Sequence, residues 1–510
     1  MQKLPATISR AQDFGDACAM RQELDTFSYR EIFDRSSIVA AHLLKDCEDL
    51  AEEPIVFLAP AGDSYVAILW GIWRAGGIAV PLNARATLPE MQYCAEASGA
   101  RVLLVDETLV EQARALVNGC ALDVVVASDL FVDGDESAAS ASYPDIASVR
   151  RALMIFTSGT TSKPKGVITT HANIEAQIGA LVDSWGWRAD DKIPLFLPLH
   201  HVHGLINVLC CALWVGAEVT VFPDGFNPQK ILEGVADRRW TVFMAVPTIY
   251  VKLIEAIDAT SEKVALHYCQ GFASMRLMVS GSAALPASVH KRWEALTGQR
   301  LLERYGMTEI GMALSNPLEG ERRPGSVGMP LPGVDIRLVS EEPASLEHTQ
   351  AMKGVPGEIQ VKGPGVFLEY WRNPAASEAA FTPDGWFCTG DMAVLEEGYY
   401  RIMGRLSVDI IKSGGYKLSA LEIESVLLEH PDIRECAVMG LPDETWGECV
   451  AAAVVLDEGC TLTLEQLNDW AQQRLSAYKL PRLLRILEAL PRNAMGKVVK
   501  PEVISLLSTS

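Results

Sequence analysis

A chain of 510 residues exceeds the roughly 250–300 residues that one hydrophobic core supports, so more than one domain is expected. Hydrophobic residues make up 49% of it and glycines number 39, which fits a large α/β globular protein and excludes wholesale disorder. A formal charge of −21 excludes a surface built for nucleic acid, so any phosphate or carboxylate site must make its own local positive patch.

The eleven cysteines are scattered without a Cys-x-x-Cys pair, which speaks against zinc or dithiol redox chemistry and for a reducing compartment. The first residues are polar, and the longest apolar run, 205–217, is shorter than the ~20 residues that cross a bilayer. A cytoplasmic protein without a membrane span is expected.

In chain order, residues 26–46 have helical spacing after a Ser cap. Apolar strands at 54–59, 78–82, 102–105 and 124–127 alternate with helices at 64–75 and from 88 onward, the pattern of a doubly wound parallel sheet. Residues 129–148, rich in Asp, Ser and Ala, read as a loop. A buried strand at 152–156 then delivers residues 156–166, Phe-Thr-Ser-Gly-Thr-Thr-Ser-Lys-Pro-Lys-Gly. Slender hydroxyl side chains, free backbone N–H groups and two lysines are what a polyphosphate needs. The loop is not a Walker A sequence, because Pro164 stands five positions after Gly159. Taken alone it reads equally as a flexible surface turn.

Three histidines fall within residues 200–204, and alternation on an extended chain places His201 and His203 on one side. With no carboxylate or cysteine beside them, they suit a pocket for an anionic or carbonyl group better than a metal site. Strands at 218–222 and 241–245 bracket a helix around 229–237, and a strand from 275 runs into the small-residue turn Ser280-Gly281-Ser282-Ala283, against which a flat ring could lie. A strand at 300–303 ends in Arg-Tyr-Gly-Met-Thr-Glu, which offers a ring, a hydroxyl for phosphate and a carboxylate for Mg²⁺. Glycine- and aromatic-rich hairpins over 355–405 place Asp391 after a Thr-Gly turn, suited to ribose hydroxyls. Beyond 419, helices at 420–429 and 463–475 and strands at 436–439, 449–456 and 484–487 make a small α+β unit that ends near Lys497 on a glycine turn.

This ordered set, a phosphate loop, a ring turn, a Thr-Glu pair, a ribose-ready Asp and a distant lysine, resembles the adenylate-forming superfamily along the whole chain. The resemblance implies an α/β fold in which a large N-terminal domain (1–404, doubly wound sheets plus a small β-barrel-like part) is joined through a hinge (405–409) to a small, mobile α+β lid (410–510). It implies that ATP and an acid form acyl-AMP and pyrophosphate, and that coenzyme A then takes the acyl group. Thr157, Ser158, Gly159, Thr160, Thr161, Lys163 and Lys165 resemble the pyrophosphate loop, and Ser280, Gly281, Ser282 and Ala283 the adenine-side turn. Glu303, Arg304, Tyr305, Gly306 and Met307 lead to Thr308, the α-phosphate contact, with Glu309 and Thr160 as Mg²⁺ ligands. Asp391 and Arg405 would hold the ribose, Lys497 would bridge carboxylate and α-phosphate, His201 would gate acid and thiol access, and Gly414 and Gly415 would enter the site for thioester formation. The hinge departs from the family pattern by one extra residue, leaving Ser407 or a neighbour as the pivot.

Arg304 stands where most relatives carry a small residue beside the acyl chain. A cation there opposes an alkyl chain and suits an acid with a second carboxylate. Together with residues 200–204, 301–312 and 407–412, it resembles the malonyl-CoA synthetase branch, implying malonate, with methylmalonate second. An ion pair between Arg304 and Glu303 or another acid is the plain structural alternative. A fatty, short-chain or aromatic acid:CoA ligase and an enzyme loading a carrier protein are the alternative functions, and a monomer or homodimer is expected.

Overall fold

The computed structural model describes residues 3–133, 142–157, 163–340, 354–413, 416–443, 445–492 and 498–508, the side chains of Val132, Asp133, Lys417 and Ser508 excepted. The apolar runs of the first third become the centre of a seven-stranded sheet. Its order is Glu369–Tyr370, Lys165–Thr170, Arg151–Thr157, Ile78–Pro81, Pro54–Leu58, Val102–Val105, Asp123–Val126. The five strands from Arg151–Thr157 onward run parallel, while Lys165–Thr170 turns back antiparallel on Arg151–Thr157. Strands buried on both faces need no polar alternation, which is why Pro54–Leu58 and Ile78–Pro81 read as unbroken hydrophobic runs.

The helix Asp63–Arg74 is buried at every position from Tyr65 to Arg74, as an all-round apolar helix must be. It belongs to one core that also takes in the four-stranded sheet with Glu218–Val221 and Lys192–Leu195 and the five-stranded sheet with Val242–Ala245, Leu277–Ser280 and Leu302–Met307. The glycine- and aromatic-rich segment forms an antiparallel sheet, Asp335–Val339, Gly357–Lys362, Phe387–Glu396 and Tyr399–Arg405. After Arg405 the next strand is Ile410–Ser413, the first of a sheet with its own two cores. Alternation along Ile433–Asp443 sends Val438 to one of these and Ala437 and Met439 to the other.

Several expected boundaries shift. Residues 25–28 are a strand, and the helix begins at Tyr29, where Ser28 and Glu31 close a capping box. The expected loop opens with a helix, Ala127–Asp133, because Leu130 and Phe131 pack against the core; residues 134–141 lie outside the described residues. The strand expected to end at 303 continues as Leu302–Met307, so Arg304 and Tyr305 sit within the sheet. The chain at 203 is not extended: a π-helical stretch, His203–Cys210, runs into the α-helix Cys211–Val215.

Candidate active site

Thr157 and Lys165 face each other across the antiparallel pair, so the phosphate loop is the connection of a β-hairpin at the edge of the parallel strands. Ser158, Gly159, Thr160 and Thr161 lie outside the described residues. The two lysines at its far side rest on aromatic faces: Lys163 Nζ is 5.4 Å from the Tyr93 ring centroid and Lys165 Nζ is 4.7 Å from that of Tyr370. The Tyr93 hydroxyl donates to the Pro164 carbonyl at 2.8 Å. Neither tyrosine was anticipated from sequence.

Tyr370 joins this hairpin to the Thr-Glu motif, because its hydroxyl donates to Glu309 Oε1 at 3.0 Å. Glu309 is buried, and burial raises its pKa against the opposing pull of Tyr370, Arg405 and Lys165. A buried carboxylate with a single side-chain hydrogen bond fits a bound cation. Among the described residues no cluster of three or more ligating side chains exists, so a magnesium ion would be held by Glu309 together with phosphate oxygens. Beside it, Tyr305 donates to Asp391 Oδ2 at 2.6 Å and Arg405 Nε donates to Asp391 Oδ1 at 2.9 Å. Asp391 and Arg405 are direct cross-strand partners, which is how residues 14 apart meet.

Three separate segments meet around Arg304. At the turn expected to lie against a flat ring, the Arg304 guanidinium packs on Gly281. A Cβ on Gly281 would lie 2.5 Å from Arg304 Cζ and Nε. Arg304 is buried, donates through Nη2 to Ser282 Oγ at 3.2 Å and leaves Nε unpaired. Burial alone pushes its pKa down to about 9, with no anion among the described residues to restore it. The alternative ion pair with Glu303 is not formed. Alternation along the strand turns Glu303 the other way, where it meets His290 Nδ1 at 3.2 Å and accepts the Gly325 N–H at 2.9 Å. The Glu303 side chain, expected among nucleotide contacts, therefore anchors the strand.

Ser280 is buried and Ala283 exposed, so the turn climbs out of the sheet between them. Gly306 and Met307 pair antiparallel with Met312 and Gly311, and a Cβ on Gly306 would run into the Gly311 carbonyl. Thr308 and His201 are partly buried, and the His201 ring packs 4.2 Å from that of His200. His203 is the buried histidine of the three, with Nδ1 3.2 Å from Ser282 Oγ. No local sequence signal ties it to a serine 79 residues away.

In the segment expected to be the hinge, Asp409 Oδ2 accepts the Arg405 N–H at 2.9 Å and Oδ1 accepts Lys500 Nζ at 2.5 Å. Lys500, absent from the sequence reading, also pairs with Glu424 at 2.8 Å and donates to the Val438 carbonyl at 2.9 Å. Lys497, Gly414 and Gly415 lie outside the described residues. The chain flanking the first of these is pinned by the bridge between Arg492 and Val498.

Residues 9–371 match the AMP-binding enzyme family and residues 422–497 match the AMP-binding enzyme C-terminal domain. The chain belongs to this family: it is an AMP-forming acyl-CoA synthetase that uses ATP and coenzyme A. Among its relatives, the mitochondrial malonate–CoA ligase of Homo sapiens is 43% identical over 532 residues, covering 98% of this chain and 91% of that protein. The malonate–CoA ligase of Arabidopsis thaliana is 38% identical over 555 residues, covering 99% and 88%. ATP-bound MatB from Rhodopseudomonas palustris superposes with a TM-score of 0.86 at 33% identity over 99% of both chains. A malonyl-CoA ligase product complex with methylmalonyl-CoA and AMP is 36% identical, with a TM-score of 0.68 over 96% of this chain and all of that one.

Proposed function

We propose that the chain ligates malonate to coenzyme A through malonyl-AMP, with methylmalonate as its second substrate. One malonate carboxylate attacks the α-phosphorus of ATP, pyrophosphate leaves, and the thiol of coenzyme A then displaces AMP. The carrying observation is Arg304: a buried guanidinium whose only side-chain partner among the described residues is a neutral hydroxyl needs an anion from outside the chain. The distal carboxylate of a short diacid supplies it at about 1.5–3 kcal/mol for the charge-assisted bond. An alkyl chain would leave the charge unpaired.

Around the reacting atoms, Lys163 and Lys165 would receive the leaving pyrophosphate, and Glu309 would hold the magnesium ion that offsets its charge. Tyr305, Asp391 and Arg405 form a hydrogen-bonded wall for the nucleoside. Lys497 would bring positive charge to the two approaching anions. Lys497→Ala should slow malonyl-AMP formation about 10²–10³-fold, the effect of losing one group aimed at transition-state charge. Residues 405–409 would serve as the hinge between the two half-reactions. A cytoplasmic location is part of the proposal, supported by eleven free thiols; imaging a tagged chain tests it.

The deciding experiment is AMP formation with malonate, methylmalonate, acetate and octanoate. Malonate should be turned over best. Arg304→Leu should lose malonate turnover while retaining pyrophosphate exchange with a monocarboxylate. Unchanged malonate turnover in that variant would overturn the assignment.

A further inference from the structure

Residues 367–371 run between the Thr-Glu motif and the phosphate hairpin and bond to both. On one side the Phe367 N–H donates to the Glu309 carbonyl at 2.7 Å. On the other, the Leu368 and Trp371 N–H groups donate to the carbonyls of Ile168 and Gly166, both at 2.8 Å, and Tyr370 faces Val167 across the antiparallel pair. Tyr370 is buried, its N–H donates to Ser377 Oγ at 2.9 Å, and its ring packs 4.8 Å from that of Phe367. A phenol pinned in this way meets a different group with its tip and with its face. The tip is the hydroxyl that donates to Glu309 Oε1 at 3.0 Å; the electron-rich face lies 4.7 Å from the Lys165 ammonium. No other side chain among the described residues donates to Glu309, so the hydroxyl takes Oε1 and leaves Oε2 open.

Resting on the assignment of Glu309 to magnesium and of Lys165 to pyrophosphate, we infer that Tyr370 is a positioning residue for both. Its hydroxyl fixes the plane of the Glu309 carboxylate so that Oε2 is the oxygen offered to the ion, and its face keeps the Lys165 ammonium from swinging into solvent. Magnesium demands near-ideal octahedral geometry, so a carboxylate free to rotate would hold it less well. A neutral phenol does this without competing for the site. A lysine or arginine in its place would pair with Glu309 and displace the ion. One ring thereby couples the metal ligand to the anion ligand.

The two roles come apart by substitution, because Tyr370→Phe keeps the face and loses the hydroxyl, whereas Tyr370→Leu loses both. The experiment titrates Mn²⁺, a spectroscopic stand-in for magnesium, into the full chain loaded with an ATP analogue blocked between the α- and β-phosphorus, and reads bound Mn²⁺ by electron paramagnetic resonance. A second titration follows inorganic pyrophosphate in EDTA by calorimetry. Tyr370→Phe should weaken Mn²⁺ about 10- to 100-fold, the usual effect of removing a metal ligand's hydrogen-bond partner, and leave metal-free pyrophosphate within about twofold. Tyr370→Leu should weaken Mn²⁺ as much and pyrophosphate about threefold besides, a difference that should vanish in a Lys165→Ala background. Loss of Mn²⁺ and pyrophosphate together in Tyr370→Phe would mark a general structural role and overturn the inference. So would unchanged Mn²⁺ affinity in Tyr370→Phe while Glu309→Gln loses it, with the placing of magnesium left standing. Unchanged Mn²⁺ affinity in Glu309→Gln as well would overturn that placing itself, and unchanged pyrophosphate affinity in Lys165→Ala would overturn the role of the lysine.

Discussion

Two buried arginines, Arg74 and Arg304, pose the same electrostatic problem and solve it differently. Arg74 closes the core helix Asp63–Arg74 and donates to the Phe33 carbonyl at 3.0 Å, Ser36 Oγ at 2.9 Å and Ser37 Oγ at 2.7 Å. Its guanidinium lies over the rings of Phe33 and Tyr143, at 4.3 and 4.9 Å from their centroids. Burial lowers its pKa to about 10, with Tyr143 and Asp34 pulling the other way. Among the described residues Arg304 has one hydrogen bond, to a hydroxyl, and nothing opposes the lowering effect of burial. Arg74 is met by its own chain through Nη1 and two rings, with Nε left without a hydrogen bond among the described residues. On the proposed function, Arg304 is a cation kept for a substrate, held in place with its demand left open at a cost in stability that the bound anion would offset.

The largest contrast should come from removing each charge. Arg304→Leu strands the distal carboxylate of malonate in a buried site, worth roughly 3–5 kcal/mol, so malonate kcat/KM should fall at least about 10²-fold. Its resistance to urea should stay level or rise, because an uncompensated buried charge is gone. Arg74→Leu should leave malonate kinetics intact and lower stability by about 1–3 kcal/mol through lost hydrogen bonds and ring contacts. Denaturation curves and steady-state kinetics on both variants check the crossing. If both lose stability and neither loses selectivity, the two arginines are of one kind.

That distinction was only half legible in the sequence. Arg304 stood out because it takes a position where the family resemblance leads one to expect a small residue, whereas Arg74, at the end of a helix, carried no such mark. The strands Pro54–Leu58 and Ile78–Pro81 were legible because continuous burial leaves a continuous apolar run. The helix at His203–Cys210 was not, since His-Val-His imitates strand alternation and an apolar run has no face to betray its period. Ser282 with His203, and Lys500 with Asp409, meet across 79 and 91 residues of chain. Such pairs belong to tertiary structure, and no local propensity encodes them. By contrast, Leu130 and Phe131 did carry a signal for the helix Ala127–Asp133, which the surrounding Asp and Ser obscured.

Binding should expose the same asymmetry without any covalent change in the acid site. A ligand that fills only the folded state stabilises it by about 2.7 kcal/mol at a hundredfold excess over Kd. Malonate, added with a non-hydrolysable ATP analogue, should raise the melting temperature of the parent chain and of Arg74→Leu by the same few degrees. Arg304→Leu should show no malonate increment. An equal increment with acetate in the parent chain would mean that the guanidinium does not meet the ligand.

The finest test uses the glycines against which each region packs. Gly281 lets the Arg304 guanidinium lie flat on the backbone; a Cβ there would sit 2.5 Å from Cζ, so Gly281→Ala must push the charge out of line. Displacement without loss should cost about tenfold in malonate kcat/KM, or about 1.4 kcal/mol, with little change in melting temperature. Gly71 lies in the helix that ends at Arg74, and a Cβ there would sit 2.5 Å from the Val39 side chain and 3.1 Å from the Ser36 carbonyl. Gly71→Ala therefore overpacks the contact between two helices, and the gain in helix propensity of about 1 kcal/mol only partly offsets a strain of roughly 1–3 kcal/mol. Stability should fall and selectivity should hold. Methyl groups of equal size, one in the helix that ends at Arg74 and one against the Arg304 guanidinium, would then read out in different assays, because on the proposed function one arginine completes a core and the other a substrate site.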